Sequence, residues 1–113
     1  MRIVLTGLCL ALAFATAAEA RAPDAARGRR LAIEACSACH QVTANQPRPT
    51  PVGNPDTNEY VAAPAFAVIA VKFRHNEPGL RKFILAPDHP MREQTFLPQD
   101  LDDIVAYIRS RPR

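Results

Sequence analysis

The sequence predicts an all-α domain folded around a bound cofactor, and three observations carry that expectation. Apolar residues recur at helical spacing in four separate runs, near residues 24–40, 64–76, 77–86 and 98–110. The stretch Cys36-Ser37-Ala38-Cys39-His40 reads Cys-x-x-Cys-His, the attachment signature of a c-type haem. The chain is short, lacks Trp and has only five Phe and two Tyr, so a purely apolar core is hard to build at this size. A buried porphyrin bonded at three points supplies the missing core.

The spacing of the motif follows from geometry. Two thiols three positions apart on one turn, Cys36 and Cys39, can form thioethers to two vinyl groups on one edge of a porphyrin. The next side chain, His40, then reaches under the macrocycle to ligate iron. A dithiol redox pair and half of a zinc site use the same cysteine spacing. Zinc needs about two further ligands, and the only other cysteine, Cys9, lies in a segment expected to be removed.

The 113 residues have room for one small domain. Residues 1–20 read as a secretory signal peptide: Arg2 is the positive n-region, Ile3 to Ala18 the apolar h-region, and Ala18-Glu19-Ala20 a small-x-small cleavage site. The apolar run is somewhat short to span a bilayer, and no cluster of stop-transfer charges follows it. Leu8 precedes Cys9 where a lipoprotein site needs a small residue. Cleavage after Ala20 leaves residues 21–113 as the domain, exported to a periplasm; cleavage a few residues away and an uncleaved anchor are the alternatives.

Asp24 is the expected N-cap of the first helical run, which continues to His40 with Gly28, Leu31, Ala32 and Ala35 on one face. Gly28 costs a helix about 1 kcal/mol against Ala. Close approach of another helix is a reason for it, and a harmless glycine is the plain alternative. Arg27, Arg29 and Arg30 fall around the other face, where solvent is expected. Residues 41–63 hold Pro47, Pro49, Pro51 and Pro55 with Gly53, Asn54 and Asn58, and are expected to form a loop without regular structure that wraps the haem edge. Arg48 reads as an exposed loop residue, with a haem propionate as its other possible partner. The carbonyl of Pro64, or of a neighbour, is placed to accept a hydrogen bond from the unligated nitrogen of His40.

Pro64 opens the second run, with Phe66, Ile69, Ala70 and Phe73 on one stripe, ending near His75-Asn76. Glu77-Pro78-Gly79 starts a third, carrying Leu80, Phe83 and Ile84 and ending at Ala86-Pro87. The last runs from Pro98 to about Ser110, striped by Leu101, Ile104, Val105 and Ile108. Asp100, Asp102 and Asp103 sit at its N-terminal end, and Arg109, Arg111 and Arg113 at its other end, as the helix dipole prefers. Leu97 is a poor N-cap, which leaves that work to Thr95 or water. Tyr107 is the expected packing partner of Gly28.

The segment Pro87-Asp88-His89-Pro90-Met91 holds the second chemical decision. A low-spin carrier needs a ligand opposite His40. Met91 is the only Met left after cleavage, and a soft thioether stabilises ferrous iron and raises the reduction potential. His89, His75 and an open site are the alternatives.

Taken together, Gly28-x-x-Leu31, Cys36-Ser37-Ala38-Cys39-His40, Ala63-Pro64-Ala65-Phe66, Pro87-x-x-x-Met91 and Ile104-Val105-Ala106-Tyr107-Ile108 resemble the small, bacterial, single-haem class I cytochromes c. The resemblance covers nearly all of residues 21–113. It implies helices packed around one covalent haem c, with the N- and C-terminal helices crossing. It also implies Cys36 and Cys39 as thioether points, His40 as proximal and Met91 as distal iron ligand. Two departures stand out: Arg92 follows Met91 where the family often has Pro, and Asp88-His89 places a charge and a competing ligand beside it.

The implied function is one-electron transfer between Fe(II) and Fe(III), without a substrate and without enzymatic catalysis. A haem subunit of a periplasmic dehydrogenase or oxidase, and a gas-binding or sensing haem protein with a displaceable sixth ligand, are the other readings. Residues 21–113 carry 13 Arg and Lys against 10 Asp and Glu. Nucleic acid is not an expected partner at so small a net charge. Redox proteins are, with Lys72, Arg74, Arg81, Lys82 and Arg92 as candidates for steering an acidic docking face. Membrane contact is expected only through redox complexes, and the chain is expected to be a monomer.

Overall fold

In the computed structural model, which describes residues 21–112, four helices and one small hairpin follow in the order α1 (Ala25–Cys36), β1 (Val52–Gly53), β2 (Tyr60–Val61), α2 (Phe66–Lys72), α3 (Glu77–Leu85) and α4 (Pro98–Ser110). The all-α class is as expected. The proposed signal peptide, residues 1–20, lies outside the described residues. Among the described residues, no helix is long and apolar enough to cross a membrane.

Asp24 does cap α1: it is extended, and its side chain accepts the Arg27 N–H at 3.0 Å. The helix stops at Cys36, short of the expected His40. Beyond it the N–H groups of Cys39 and His40 both turn back to the Cys36 carbonyl, at 3.2 and 2.9 Å, so the second cysteine and the histidine sit on a tightened turn. Gly28 and Ala32 are buried and Leu31 is half-buried, whereas Ala35 is exposed, contrary to its place on the predicted face.

Gly28 marks a helix crossing, and its partner is α4. A Cβ on Gly28 would lie 1.8 Å from the backbone oxygen of Asp103 and 2.4 Å from its carbonyl carbon. Only a hydrogen fits between the two backbones. The contact falls at Asp103–Ile104, about one turn before the expected Tyr107. Tyr107 instead packs at a ring distance of 6.2 Å from Phe66, and its hydroxyl donates to the Val42 carbonyl at 2.7 Å.

Asp103 is the larger correction. Read from the sequence as a dipole-compensating acid, it is completely buried. Arg21 grips its carboxylate at 3.0 and 2.5 Å, Arg27 donates at 2.7 Å, and the Asp24 N–H at 2.8 Å. Arg27 also donates to Asp100 at 2.6 Å, so it is not the solvated residue expected, unlike the exposed Arg29 and Arg30. The Arg21 guanidinium foremost, then the Asp24 amide and Arg27, hold the Asp103 carboxyl well below the usual carboxylate range against the opposing cost of burial.

The proline-rich segment is not wholly irregular. β1 and β2 pair antiparallel, with Val52 opposite Val61 and Gly53 opposite Tyr60. Asn54 closes the turn by accepting the Asp56 N–H on its side chain, and Asn58 takes the left-handed conformation (φ 60°) that asparagine tolerates. Two-residue strands leave no alternation for a sequence pattern to register.

α2 begins at Phe66, not Pro64, and ends at Lys72, earlier than expected; residues 73–75 continue as a turn. Its first amide, Phe66 N–H, donates to the Gln41 carbonyl at 3.0 Å, which ties the helix to the chain just after His40. Asn76 caps α3 through the Gly79 N–H at 2.9 Å, with Pro78 in the first turn. α4 has the expected bounds, and no side chain caps it at Leu97, so Thr95 does not do so. Its buried residues, Leu101, Asp103, Ile104, Val105, Tyr107 and Ile108, surround the helix because α1 covers one side and α2 and α3 another. All of these except Asp103 join Ala32, Val42, Phe66, Ile69, Leu80 and Ile84 in the hydrophobic core.

Candidate haem site

Three walls meet at a cleft: the end of α1 with its turn, the α2–α3–α4 core, and the segment between α3 and α4. Cys36, His40, Phe66, Ile69, Phe83, Ile84, Met91, Gln94, Phe96, Ile104 and Ile108 line it. No charged side chain is among them, and Gln94 is the one polar residue besides the imidazole. An apolar macrocycle suits such a lining; a hydrated substrate does not.

His40 is 5% exposed, with its ring edge-on to Phe66 at 5.8 Å. Its Nδ1 lies 2.7 Å from the Pro64 carbonyl oxygen. A carbonyl only accepts, so Nδ1 must carry the proton and Nε2 keeps the free lone pair. The expected Pro64 contact is therefore present. The α2 start at Phe66 holds that carbonyl in place, and the Phe66 amide bond to Gln41 closes the frame on the other side of His40.

Cys36 and Cys39 are both half-buried and form no disulfide. Cys36 lines the cleft, and Cys39 follows on the same turn. Burial first, with the neighbouring Cys39 second, pushes the Cys36 thiol up to about 11. A dithiol exchange centre needs a thiol that ionises readily, and this environment does the reverse. No three His, Cys, Asp or Glu side chains gather as metal ligands among the described residues, so the zinc reading finds no further donors there.

Met91 lines the cleft with His40, whereas His89 and His75 do not. His75 is exposed on the turn after α2. The His89 ring is exposed and turned to the hairpin, its Nδ1 2.8 Å from Asp56 Oδ2, while its carbonyl accepts from the Asn54 amide at 3.5 Å. Arg48 is exposed, as an ordinary loop arginine is.

Sequence reasoning missed Gln46. Its Nε2 donates to the carbonyls of Ser37 (2.9 Å) and His40 (3.0 Å), and its Oε1 accepts the Val42 N–H at 2.9 Å. One side chain thus closes the turn that presents Cys39 and His40. A lone glutamine among prolines carries no signal for this role, which exists only once the chain has turned. Gln46→Ala leaves the buried Val42 amide and two carbonyls without that partner, and urea unfolding is expected to show a loss of about 1–3 kcal/mol.

The sequence model of the family described as Cytochrome c matches residues 25–112, which takes in all four helices and the whole cleft. Comparison with curated proteins and with solved structures gave no match. Covalent haem c is the family's cofactor, and the residues present fit it: two unbridged cysteines at the motif spacing, a buried histidine with Nε2 free, and an apolar cleft. With its family model spanning the described helices and its helical fold closed around that cleft, the chain belongs to the cytochrome c family and is a haem c protein.

Proposed function

We propose that this protein is an exported, single-haem, one-electron carrier in which Cys36 and Cys39 form the thioethers, His40 is the proximal iron ligand and Met91 the distal one. The observation that carries the reading is the meeting of His40 and Met91 at one cleft lined by no charged side chain. When bound, the haem supplies the chemistry, outer-sphere exchange of a single electron at iron.

The protein's own residues do the rest. Pro64 fixes the His40 tautomer and ring orientation and makes the imidazole a better donor. Phe66, Ile69, Phe83, Ile84, Phe96, Ile104 and Ile108 exclude water from the cleft, which limits solvent reorganisation. The Met91 thioether favours the reduced state. No residue is needed to move a proton, so the protein is read as a carrier and not an enzyme. Arg2, the apolar residues 3–18 and Ala18-Glu19-Ala20 support export to a periplasm.

For partners, the cleft edge is the natural approach. Lys72 Nζ lies 5.3 Å from the centre of the Phe73 ring and 5.8 Å from that of Phe83, which lines the cleft. That position supports steering of an acidic redox protein. Arg81 is a weaker candidate than expected, since Glu77 (3.0 Å) and Asp102 (2.8 Å) hold it. A second reading, a haem subunit of a larger redox enzyme, is favoured by Val68 and Val71, exposed one turn apart on α2.

The oxidised visible spectrum of the purified protein tests the ligand assignment. The wild type is expected to show a sulfur-to-iron charge-transfer band that Met91→Ala loses and His89→Ala keeps. The potential of Met91→Ala should fall by on the order of 0.1 V, within the roughly 0.8 V that axial ligands span. A wild type without the band, or a band that survives Met91→Ala, overturns Met91. Rapid, complete carbon monoxide binding by the reduced wild type at neutral pH would move the assignment to a gas-binding protein.

A further inference from the structure

A second cavity, of about 180 Å³, shares no lining residue with the haem cleft. Ala70 and Val71 of α2 form its apolar wall, and Arg74, Arg109 and Arg111 line the rest. Arg74 follows the C-terminal end of α2; Arg109 and Arg111 close α4. Helix C-termini attract cations, and that alone explains one arginine at each end. Three further features go beyond it.

Arg74 and Arg111 have no carboxylate partner among the described residues. Glu77 pairs with Arg109, yet it also serves Arg81 at 3.0 Å, so a single carboxylate answers the whole cluster. The Nε of Arg111 is buried and has no hydrogen-bond partner among the described residues. A buried, unpaired guanidinium N–H is costly, and it marks Arg111 as an arginine whose hydrogen-bonding capacity this fold does not fill.

The Arg111 guanidinium is also held in place. It stacks 5.6 Å from the centre of the Tyr107 ring, and its Nη1 donates to the Tyr107 hydroxyl at 3.2 Å. That hydroxyl is in turn anchored on the Val42 carbonyl at 2.7 Å. A fixed fork loses little entropy when it takes an oxyanion in two parallel hydrogen bonds. Ala70 and Val71 offer no platform on which an aromatic base can stack.

We propose that this cavity binds a small oxyanion of the phosphate class, with Arg74 and Arg111 as its principal ligands and Arg109 as a third, partly neutralised cation. A dianion matches the two guanidinium groups that lack a carboxylate. The site involves no residue of the haem cleft, so it stands or falls independently of the axial-ligand assignment.

Isothermal titration of the haem-loaded protein with inorganic phosphate at low ionic strength tests it. One saturable site is expected. Arg74→Gln and Arg111→Gln should each weaken it by about tenfold or more, with circular dichroism confirming that both variants fold. Lys82→Gln, an exposed cation outside the cavity, should bind as the wild type does. Phosphatidylglycerol vesicles separate two sources of the same chemistry: sedimentation with vesicles that both arginine variants lose assigns a lipid headgroup, and phosphate binding without vesicle binding assigns a free ion. Absence of saturable binding in both arms overturns the site. So does an equal loss in Lys82→Gln, which would show only diffuse attraction to a basic surface.

Discussion

Gly28→Ala is expected to destabilise the protein by about 3 kcal/mol or more, near or beyond the upper end of ordinary overpacking. The sign decides between two explanations of the same residue. In an unobstructed helix interior, Ala in place of Gly stabilises by about 1 kcal/mol. Here the added carbon lands 1.8 Å from the Asp103 backbone oxygen, and a backbone carbonyl within α4 cannot rotate aside as a long side chain can. The α1–α4 crossing must open, and the Asp103 ion cluster and the buried Ala32 lie on that same interface. Urea unfolding followed by helical circular dichroism measures the change. A variant as stable as the wild type, or more so, would mean that the two helices do not pack this closely.

Asp103→Asn is expected to bring the second large loss, with a pH dependence that identifies its cause. The folded carboxyl ionises below the ordinary carboxylate value of about 3.9. Its contribution is therefore complete above the unfolded value and is lost as pH falls through the folded one. The gap between wild type and variant should be full and constant from about pH 5 upward and should shrink steadily below about pH 4. The asparagine keeps the shape but removes the charge, and its amide nitrogen is a donor facing Arg21, Arg27 and the Asp24 N–H, which are donors too. Urea midpoints of both proteins across pH 3 to 7 check this, since subtraction removes the other carboxylates. A gap that does not vary with pH would show that Asp103 ionises normally.

Much of the architecture is legible in local signals. Asp24 and Asn76 cap as short polar residues do, and Pro98 starts α4 where its missing N–H does no harm. The Pro64 carbonyl expected beside His40 is the partner of its Nδ1, at 2.7 Å. The errors have a common origin. The stripe Leu101, Ile104, Val105, Ile108 marks one buried face of α4, but Asp103 and Tyr107 are buried off that stripe, Asp103 at the crossing with α1 and Tyr107 against Phe66 of α2. Helical periodicity reports one face at a time, so it carries no sign that Asp103 is buried. Arg27 was misplaced for the same reason, because its partners are on a helix more than 70 residues away. Gln46 and the Val52–Val61 pairing carry no pattern at all.

The chemical inventory is local: two cysteines and a histidine at haem spacing, one methionine beyond residue 20, four helical runs, and a glycine that implies a close neighbour. These are properties of residues a few positions apart, where turn geometry leaves few alternatives. Packing sets which partner meets Gly28, buries Asp103 beneath Arg21 and Arg27, and turns Met91 to the cleft and His89 to Asp56. It also brought Arg74 to Arg109 and Arg111. Those outcomes join residues tens of positions apart in the chain, and only the packing of α1, α2, α3 and α4 against one another selects among them.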